Sequence, residues 1–423
     1  MTYEQALEYI HARPRLPSKD SLNRIHKLLI LTGNPEKSLN FVHVTGTNGK
    51  GSASTMLAKA LTLDGRRTGL FISPYILDFR ERIQIDGEMI PKEELVALLE
   101  EIMPYLDRLD NAGQPVSEFE LDTVLAFLWF RKMRCSIVVL EVGIGGRYDA
   151  TNIIPKPLLS VIMGIGLDHQ SQLGETVAEI AANKAGIIKG NPTVTYPFQP
   201  PEALAELMER CADTGSTLIQ PSPKAAIVRN ESLEGTDFAY AGREYHLNLL
   251  GRYQVYNAMT VIEGAKVLGI REDALHEALA TVTFPVRLEL MKTDPPLLLD
   301  GAHNYHGMRA LTDSVSRLWM GQITAVVGML ADKDMAEALR ELALFTDHVI
   351  AVPVDYPLRA ADPETIYALS APHSRKVDIC SDFKEGLRMA MKDGNLTVVC
   401  GSLYLASDVR RWLVDEGGLD QLS

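Results

Sequence analysis

Short apolar runs alternate with helix-period segments along this chain, and that alternation restricts the architecture more than any single residue does. Residues 41–45 (FVHVT), 68–72 (TGLFI), 136–141 (SIVVLE) and 158–164 (LLSVIMG) read as strands. Runs that are apolar on both faces need cover on both faces, which a parallel sheet with helical crossovers supplies. Helical patterns fill the gaps: from a Gly-rich turn to about Leu63, over 91–107 with Pro91 at the first helical position, and over 118–132. The polar stretch 73–90 reads as a loop with short strand pieces (RIQID). A strand in TVTYP, a helix at 201–213 and a hairpin-like stretch near 225–247 complete a first domain. Paired prolines in TDPP, 293–296, mark a linker. Beyond it the alternation restarts. Strands are expected at 297–299, 323–327, 347–352 and 396–400, and helices at 307–319, 334–345, 363–370 and 382–392.

Charge and composition narrow the function. Of 423 residues, 42 are Lys or Arg and 55 are Asp or Glu, a net charge of −13. So acidic a chain is a poor nonspecific binder of nucleic acid, and any anionic substrate needs its own cationic pocket. Cys135, Cys211, Cys380 and Cys400 lie far apart with no CxxC pair, which points to reduced, buried thiols rather than a zinc knuckle or a disulfide scaffold. The N-terminus has no apolar signal-peptide core, and no run of 18 apolar residues is present. A cytoplasmic protein without membrane or nucleic-acid partners is the expectation.

The strongest chemical signal is Val44-Thr45-Gly46-Thr47-Asn48-Gly49-Lys50-Gly51-Ser52, directly after a strand and before a helix. Amides of such a loop and the helix N-terminus cradle phosphates, Lys50 reaches the β- and γ-phosphates, and a hydroxyl binds Mg²⁺. The loop departs from the usual P-loop pattern, since Val44 holds the first glycine position and Gly51 separates Lys50 from Ser52. Strand 136–141 ends in Glu141, followed by Val-Gly-Ile-Gly-Gly-Arg. There a carboxylate suits a Mg²⁺ ligand or a water-positioning group, against the plainer reading of a solvated strand end. Next come Gly166-Leu-Asp-His169-Gln and Ile-Ala-Ala-Asn-Lys184-Ala-Gly-Ile. Lys184 sits in an apolar helical stretch, where a lysine either snorkels or is chemically unusual, and the residues alone leave that open.

Together TGTNGKGS, LEVGIGGRYDATN (140–152), GLDHQSQLGETVAEIAANKAGIIK (166–189) and LDGAHN (299–304) resemble folylpolyglutamate synthase, often bifunctional with dihydrofolate synthase, in the Mur ligase superfamily. The resemblance runs from about residue 21 to GSLYL at 401–405. With it the fold expectation is α/β in two domains. Residues 1–292 would form a P-loop ATPase-like, mostly parallel sheet domain with the folate site, 293–296 a linker, and 297–423 a smaller Rossmann-like, doubly wound glutamate-binding domain.

The resemblance also implies roles. Thr47, Asn48, Gly49, Lys50, Gly51 and Ser52 would bind ATP, with Asn257 on adenine, Arg287 on the phosphates and Asp300 on the nucleotide. Ser52, Ser73 and Glu141 would hold a first Mg²⁺. His169 and Lys184, the latter carbamylated by CO₂ and so an anionic oxygen ligand, would hold a second. Lys50, Glu141, His169 and Lys184 form the implied catalytic set. Arg82, Phe119 and Thr123 fall in the pteroate-binding region, and His303 and Ser402 in the glutamate site. A monovalent cation such as K⁺ is a further candidate cofactor, and the resemblance suggests a monomer.

The implied reaction is ATP-driven addition of L-glutamate to tetrahydrofolate and to dihydropteroate. Four departures stand out: Tyr75 for a histidine after Ser-Pro, Val286 for the glycine before Arg-x-Glu, Tyr305 for a proline, and no glycine in Asp20–Ile25. Two rivals are another Mur-type amino-acid ligase and a P-loop switch ATPase that binds a protein partner. The Mur ligases of peptidoglycan synthesis usually carry a UDP-binding domain, for which the 40 residues before Phe41 are too few. The switch leaves the second domain and the 166–189 constellation unexplained.

Overall fold

Strand β1 (Phe41–Thr45) is buried along its whole length and lies at the centre of an eight-stranded sheet. The others are β2 (Thr68–Phe71), β3 (Ile83–Ile85), β4 (Glu88–Met89), β5 (Ile137–Glu141), β6 (Leu159–Ile162), β7 (Thr193–Thr195) and β8 (Leu218–Ile219), in the order β4-β3-β2-β5-β1-β6-β7-β8. β1 runs parallel to β5 and β6, with Val44 opposite Glu141 and Val161. Only the β2–β3–β4 meander is antiparallel, so the expected loop at 73–90 contains a hairpin at the sheet edge. This computed structural model describes residues 1–14, 21–331, 334–356, 359–392 and 394–422. Asp20, part of one noted departure, falls outside them.

One face of the sheet, through Phe41, Phe71, Val138 and Leu140, packs against the helices Lys92–Asn111 and Glu118–Lys132. The first of these starts one residue later than expected, with Pro91 as its N-cap, and continues through Pro104. The second is capped by a Ser117–Glu120 box, and Glu120 also pairs with Arg24, with Nη2 at 2.7 Å. Two helices that sequence reading passed over, Arg252–Leu268 and Glu272–Thr281, follow a small three-stranded sheet. That sheet has β9 (Ala226–Ser232), β10 (Gly235–Tyr240) and β11 (Arg243–Leu247) in the order β11-β10-β9.

The chain divides into two units. One comprises Met1–Ile227, Tyr240–Tyr245 and Gln254–Val282, and the other Val228–Ala239, His246–Tyr253 and Thr283–Ser423. The expected boundaries at 292 and 297 therefore move, and the linker assignment for 293–296 does not hold. β12 (Glu289–Thr293) and β13 (Pro296–Leu299) pair antiparallel with Thr293 opposite Pro296, so TDPP is a hairpin turn within the second sheet. Proline suits this position because a turn and the first residue of a strand can do without an N–H. The hairpin-like stretch near 225–247 also divides, with 228–239 grouped in the second unit.

The second sheet adds β14 (Ile323–Val327), β15 (His348–Ala351), β16 (Lys376–Ile379) and β17 (Leu396–Cys400), in the order β12-β13-β17-β14-β15-β16. All neighbours from β13 to β16 are parallel. Alternate residues enter separate cores: Leu298, Ala325, Val349 and Val398 on one face, Leu299, Val326, Ile350 and Val399 on the other. That is the doubly wound arrangement expected from sequence. All four cysteines are buried free thiols. Among the described residues no helix is long and apolar enough to cross a membrane.

Candidate active site

Leaving β1, the chain turns through Gly46–Gly49 into the helix Lys50–Leu63. Parallel strands deliver their C-terminal ends to such a loop, and the first-turn amides of Lys50, Gly51 and Ser52 have no carbonyl of their own helix to bond. The loop is pinned from its far side. Thr47 N and Asn48 N donate to Gly164 O at 2.8 and 3.3 Å, while Thr47 Oγ1 donates to Gly166 O and accepts from Gly166 N at 3.0 and 3.1 Å. Thr47 and Asn48 thus hold the loop's shape.

Gly49 caps the helix at φ 84°. A Cβ placed there would lie 2.7 Å from Asn257 Oδ1, so strain and collision both exclude a larger residue. A Gly49→Ala enzyme is expected to bind ATP about 5- to 30-fold more weakly, because αL strain of about 1–2 kcal/mol falls on the loop that must grip phosphate. Calorimetric titration with a non-hydrolysable ATP analogue checks this, and unchanged affinity in a folded protein would refute it.

Two lysines share one loop carbonyl. Lys50 Nζ donates to Gly46 O at 3.2 Å and to Thr47 O at 3.4 Å, and Lys184 Nζ donates to Gly46 O at 2.9 Å. Lys184 is 3% exposed. Burial chiefly, and then the charge of Lys50, push its pKa down to about 7, against the pull of Asp168 and Asp149. The choice left open by sequence is resolved: this lysine is not snorkelling.

Glu141, at the buried end of β5, accepts from Ser73 N at 3.3 Å. Ser52 Oγ accepts from Gln254 Nε2 at 3.2 Å, and Gln254 Oε1 accepts from Asn257 Nδ2 at 2.9 Å. Gln254 is given no role by sequence analysis. It joins Ser52 to Asn257, and its i, i+3 spacing from Asn257 on one helix face was the available signal. His169 is half exposed at φ 47°, with Asp168 Oδ2 at 3.7 Å. Among the described residues no three His, Cys, Asp or Glu side chains gather as a metal cluster. The donors Ser52 and Glu141 fit Mg²⁺ because they are hard oxygens. Lys184 fits only as a carbamate, since Mg²⁺ takes oxygen ligands and the bare side chain offers only an amine nitrogen.

In the implied acceptor region, Arg82 lies with its guanidinium 5.1 Å from the Tyr75 ring and 5.7 Å from Phe79, and its Nε 3.7 Å from Asp122 Oδ2. Asp122, which sequence reading missed, is fully buried, and burial raises its pKa to about 7. Phe119 packs on Phe71 with ring centroids 5.7 Å apart, and only a glycine at 143 leaves room for its ring. Thr123 is fully buried and donates its hydroxyl to Phe119 O at 2.7 Å, which supports the helix instead of facing a ligand.

In the second unit, a cleft of about 200 Å³ is lined by His303, Leu330, Arg359, Ser402 and Tyr404 among others. His303 Nδ1 donates to Gly301 O at 2.8 Å, which fixes the orientation of the ring at the cleft wall. Ser402 caps the helix Leu403–Asp415, accepting from Tyr404 N. Arg359 was missed by sequence reading and brings a cation to the cleft. Asp300 is buried; its oxygens accept from Leu288 N at 2.9 Å and Ala302 N at 2.8 Å. Burial raises its pKa, opposed first by the charge of Arg287.

Family models for the Mur ligase middle domain and for the Mur ligase glutamate ligase domain match residues 44–265 and 286–403. They set the class, a Mur-type ligase. The chain is 37% identical to the folylpolyglutamate synthase of Lacticaseibacillus casei over 98% of its own length and 99% of that protein's. It is 35% identical to the dihydrofolate synthase/folylpolyglutamate synthase of Bacillus subtilis (strain 168), over 97% and 99%. A solved FPGS–AMPPCP–folate complex superposes with a TM-score of 0.82 at 34% identity, covering 98% of this chain and 100% of that one. The chain belongs to the folylpolyglutamate synthase/dihydrofolate synthase family.

Proposed function

We propose that this chain joins L-glutamate to folates, with tetrahydrofolate and dihydropteroate both as acceptors, and drives the amide bond by cleaving ATP to ADP and phosphate. The observation that carries the reading is the buried Lys184, its Nζ on the phosphate-loop carbonyl beside Lys50. A switch ATPase leaves that buried lysine and the second domain unexplained, and the solved complex of a relative with an ATP analogue and folate supports the substrates.

The acceptor carboxylate attacks the γ-phosphorus, an O–P bond forms, and the bond to the β-phosphate oxygen breaks to release ADP. Lys50 and the first-turn amides of the helix Lys50–Leu63 hold the transferring phosphoryl group and take up its negative charge. Asn257 holds the adenine and Arg287 the phosphates. The amino group of glutamate then attacks the acyl carbon, loses a proton, and phosphate leaves. His303 and Ser402 hold the incoming glutamate, and Arg82 and Phe119 the pteroate.

Ser52, Ser73 and Glu141 would hold one Mg²⁺, and His169 with carbamylated Lys184 a second. When bound, these ions neutralise phosphate charge. With Nζ near neutrality at physiological pH, Lys184 presents the free amine that CO₂ requires, which its exposed counterparts do not. The reading includes a cytoplasmic monomer.

One assay tests it: ATP hydrolysis with and without glutamate, against dihydropteroate and tetrahydrofolate in parallel. Turnover should need glutamate and an acceptor together. Turnover independent of both would sink the reading.

A further inference from the structure

Arg287 stands in an unusual piece of backbone. Val286 and Leu288, on either side of it, have φ of 58° and 46°, and both side chains are buried. Left-handed backbone is rare for any residue with a Cβ and is a true outlier for β-branched valine. Such strain persists only where surrounding structure imposes it.

Two carboxylates impose it here. Val286 N donates to Glu289 Oε2 at 2.9 Å, and Leu288 N donates to Asp300 Oδ2 at 2.9 Å. Gly301 N closes the turn on Val286 O at 3.1 Å. Asp300 is fixed by the strand end it terminates. Glu289 needs another restraint, and Arg410 Nε supplies it by donating to both carboxylate oxygens at 3.0 Å.

We propose that Glu289, held by Arg410, is a positioning residue for Arg287: it fixes the strained Val286–Leu288 turn so that the guanidinium is presented to the nucleotide. This rests on the reading of Arg287 as a phosphate-binding residue. Glu289 itself touches no substrate.

The test is a double-mutant cycle read in KM for ATP, with KM for glutamate and thermal melting recorded alongside. Arg287→Ala should raise KM for ATP by about tenfold or more, and Glu289→Ala should do much the same. In the Arg287→Ala background, Glu289→Ala should add less than about twofold, since its route to the nucleotide is already gone. Glu289→Gln keeps an acceptor for Val286 N but loses the charge that Arg410 grips, so it should fall between wild type and Glu289→Ala. It serves in full should the alanine variant fail to fold. Val286→Gly adopts the turn without strain, and combined with Glu289→Ala it should recover part of the lost affinity. Independent effects that multiply in the double variant would overturn the positioning role and leave Arg287 in place. An Arg287→Ala enzyme with unchanged KM for ATP would overturn the reading of Arg287 and the proposal with it.

Discussion

A Lys184→Ala enzyme is expected to lose about 10²–10³-fold of its folate- and glutamate-dependent ATP turnover, and millimolar acetate is expected to return part of it. The argument begins with burial. A lysine 3% exposed, with another cation on the same carbonyl, cannot hold its proton as a surface lysine does. Its pKa near 7 means that the free amine becomes the major form as pH rises through 7, and the unreactive ammonium as pH falls through it. Carbamate formation should therefore fail on the acid side of 7 and recover above it. Acetate supplies a carboxylate to the space that alanine opens. Lys184→Arg fills that space and stays protonated, so it should be equally impaired and resist rescue. Carbon-13 NMR of enzyme under labelled CO₂ gives a readout apart from turnover: a carbamate signal that disappears in Lys184→Ala. Full activity of the alanine variant without acetate would remove the lysine from the mechanism.

Lys50→Ala should cost about 10²–10³-fold in kcat, with no rescue by acetate. Its ammonium is the one side-chain cation of the phosphate loop itself, within 3.4 Å of two loop carbonyls that an anion can displace. Removing it has a second effect. The charge of Lys50 helps to hold the Lys184 pKa down, so the pH needed for carbamate formation should rise in Lys50→Ala, toward alkaline values. Labelled CO₂ titration of the variant reads that shift directly. If the signal keeps the wild-type pH midpoint, the two lysines are not electrostatically coupled. Lys50→Arg should not restore turnover, because a planar guanidinium cannot replace a compact point charge in so tight a loop.

What the sequence revealed and what it concealed divide along physical lines. β1, β5 and the loop from Gly46 to Ser52 were legible because burial on both faces leaves a largely apolar run and because phosphate binding needs glycine at fixed places. The doubly wound second sheet was legible for the same reason. The TDPP turn was misread because two prolines stop a strand equally well in a linker and in a hairpin, and because β12 is half-exposed with no clean alternation. The helix Arg252–Leu268 was passed over because ten of its residues are buried, and a helix buried on most sides shows little amphipathic period. Gln254 shows only its i, i+3 spacing from Asn257, and Asp122 and Arg359 have no sequence signature. Each acquires its setting from residues distant in the chain: Ser52 for the first, Arg82 for the second, and the cleft with His303 and Ser402 for the third.

The eight-stranded sheet ends on both sides in strands of two residues, Glu88–Met89 and Leu218–Ile219. An edge that short offers no ladder on which another chain could continue the sheet, and the exposed Glu88 adds charge to one of them. The wide apolar platform that carries the phosphate loop is therefore finite by construction. Its growth stops within the chain, and each edge gives a second copy only two residues of ladder to pair with.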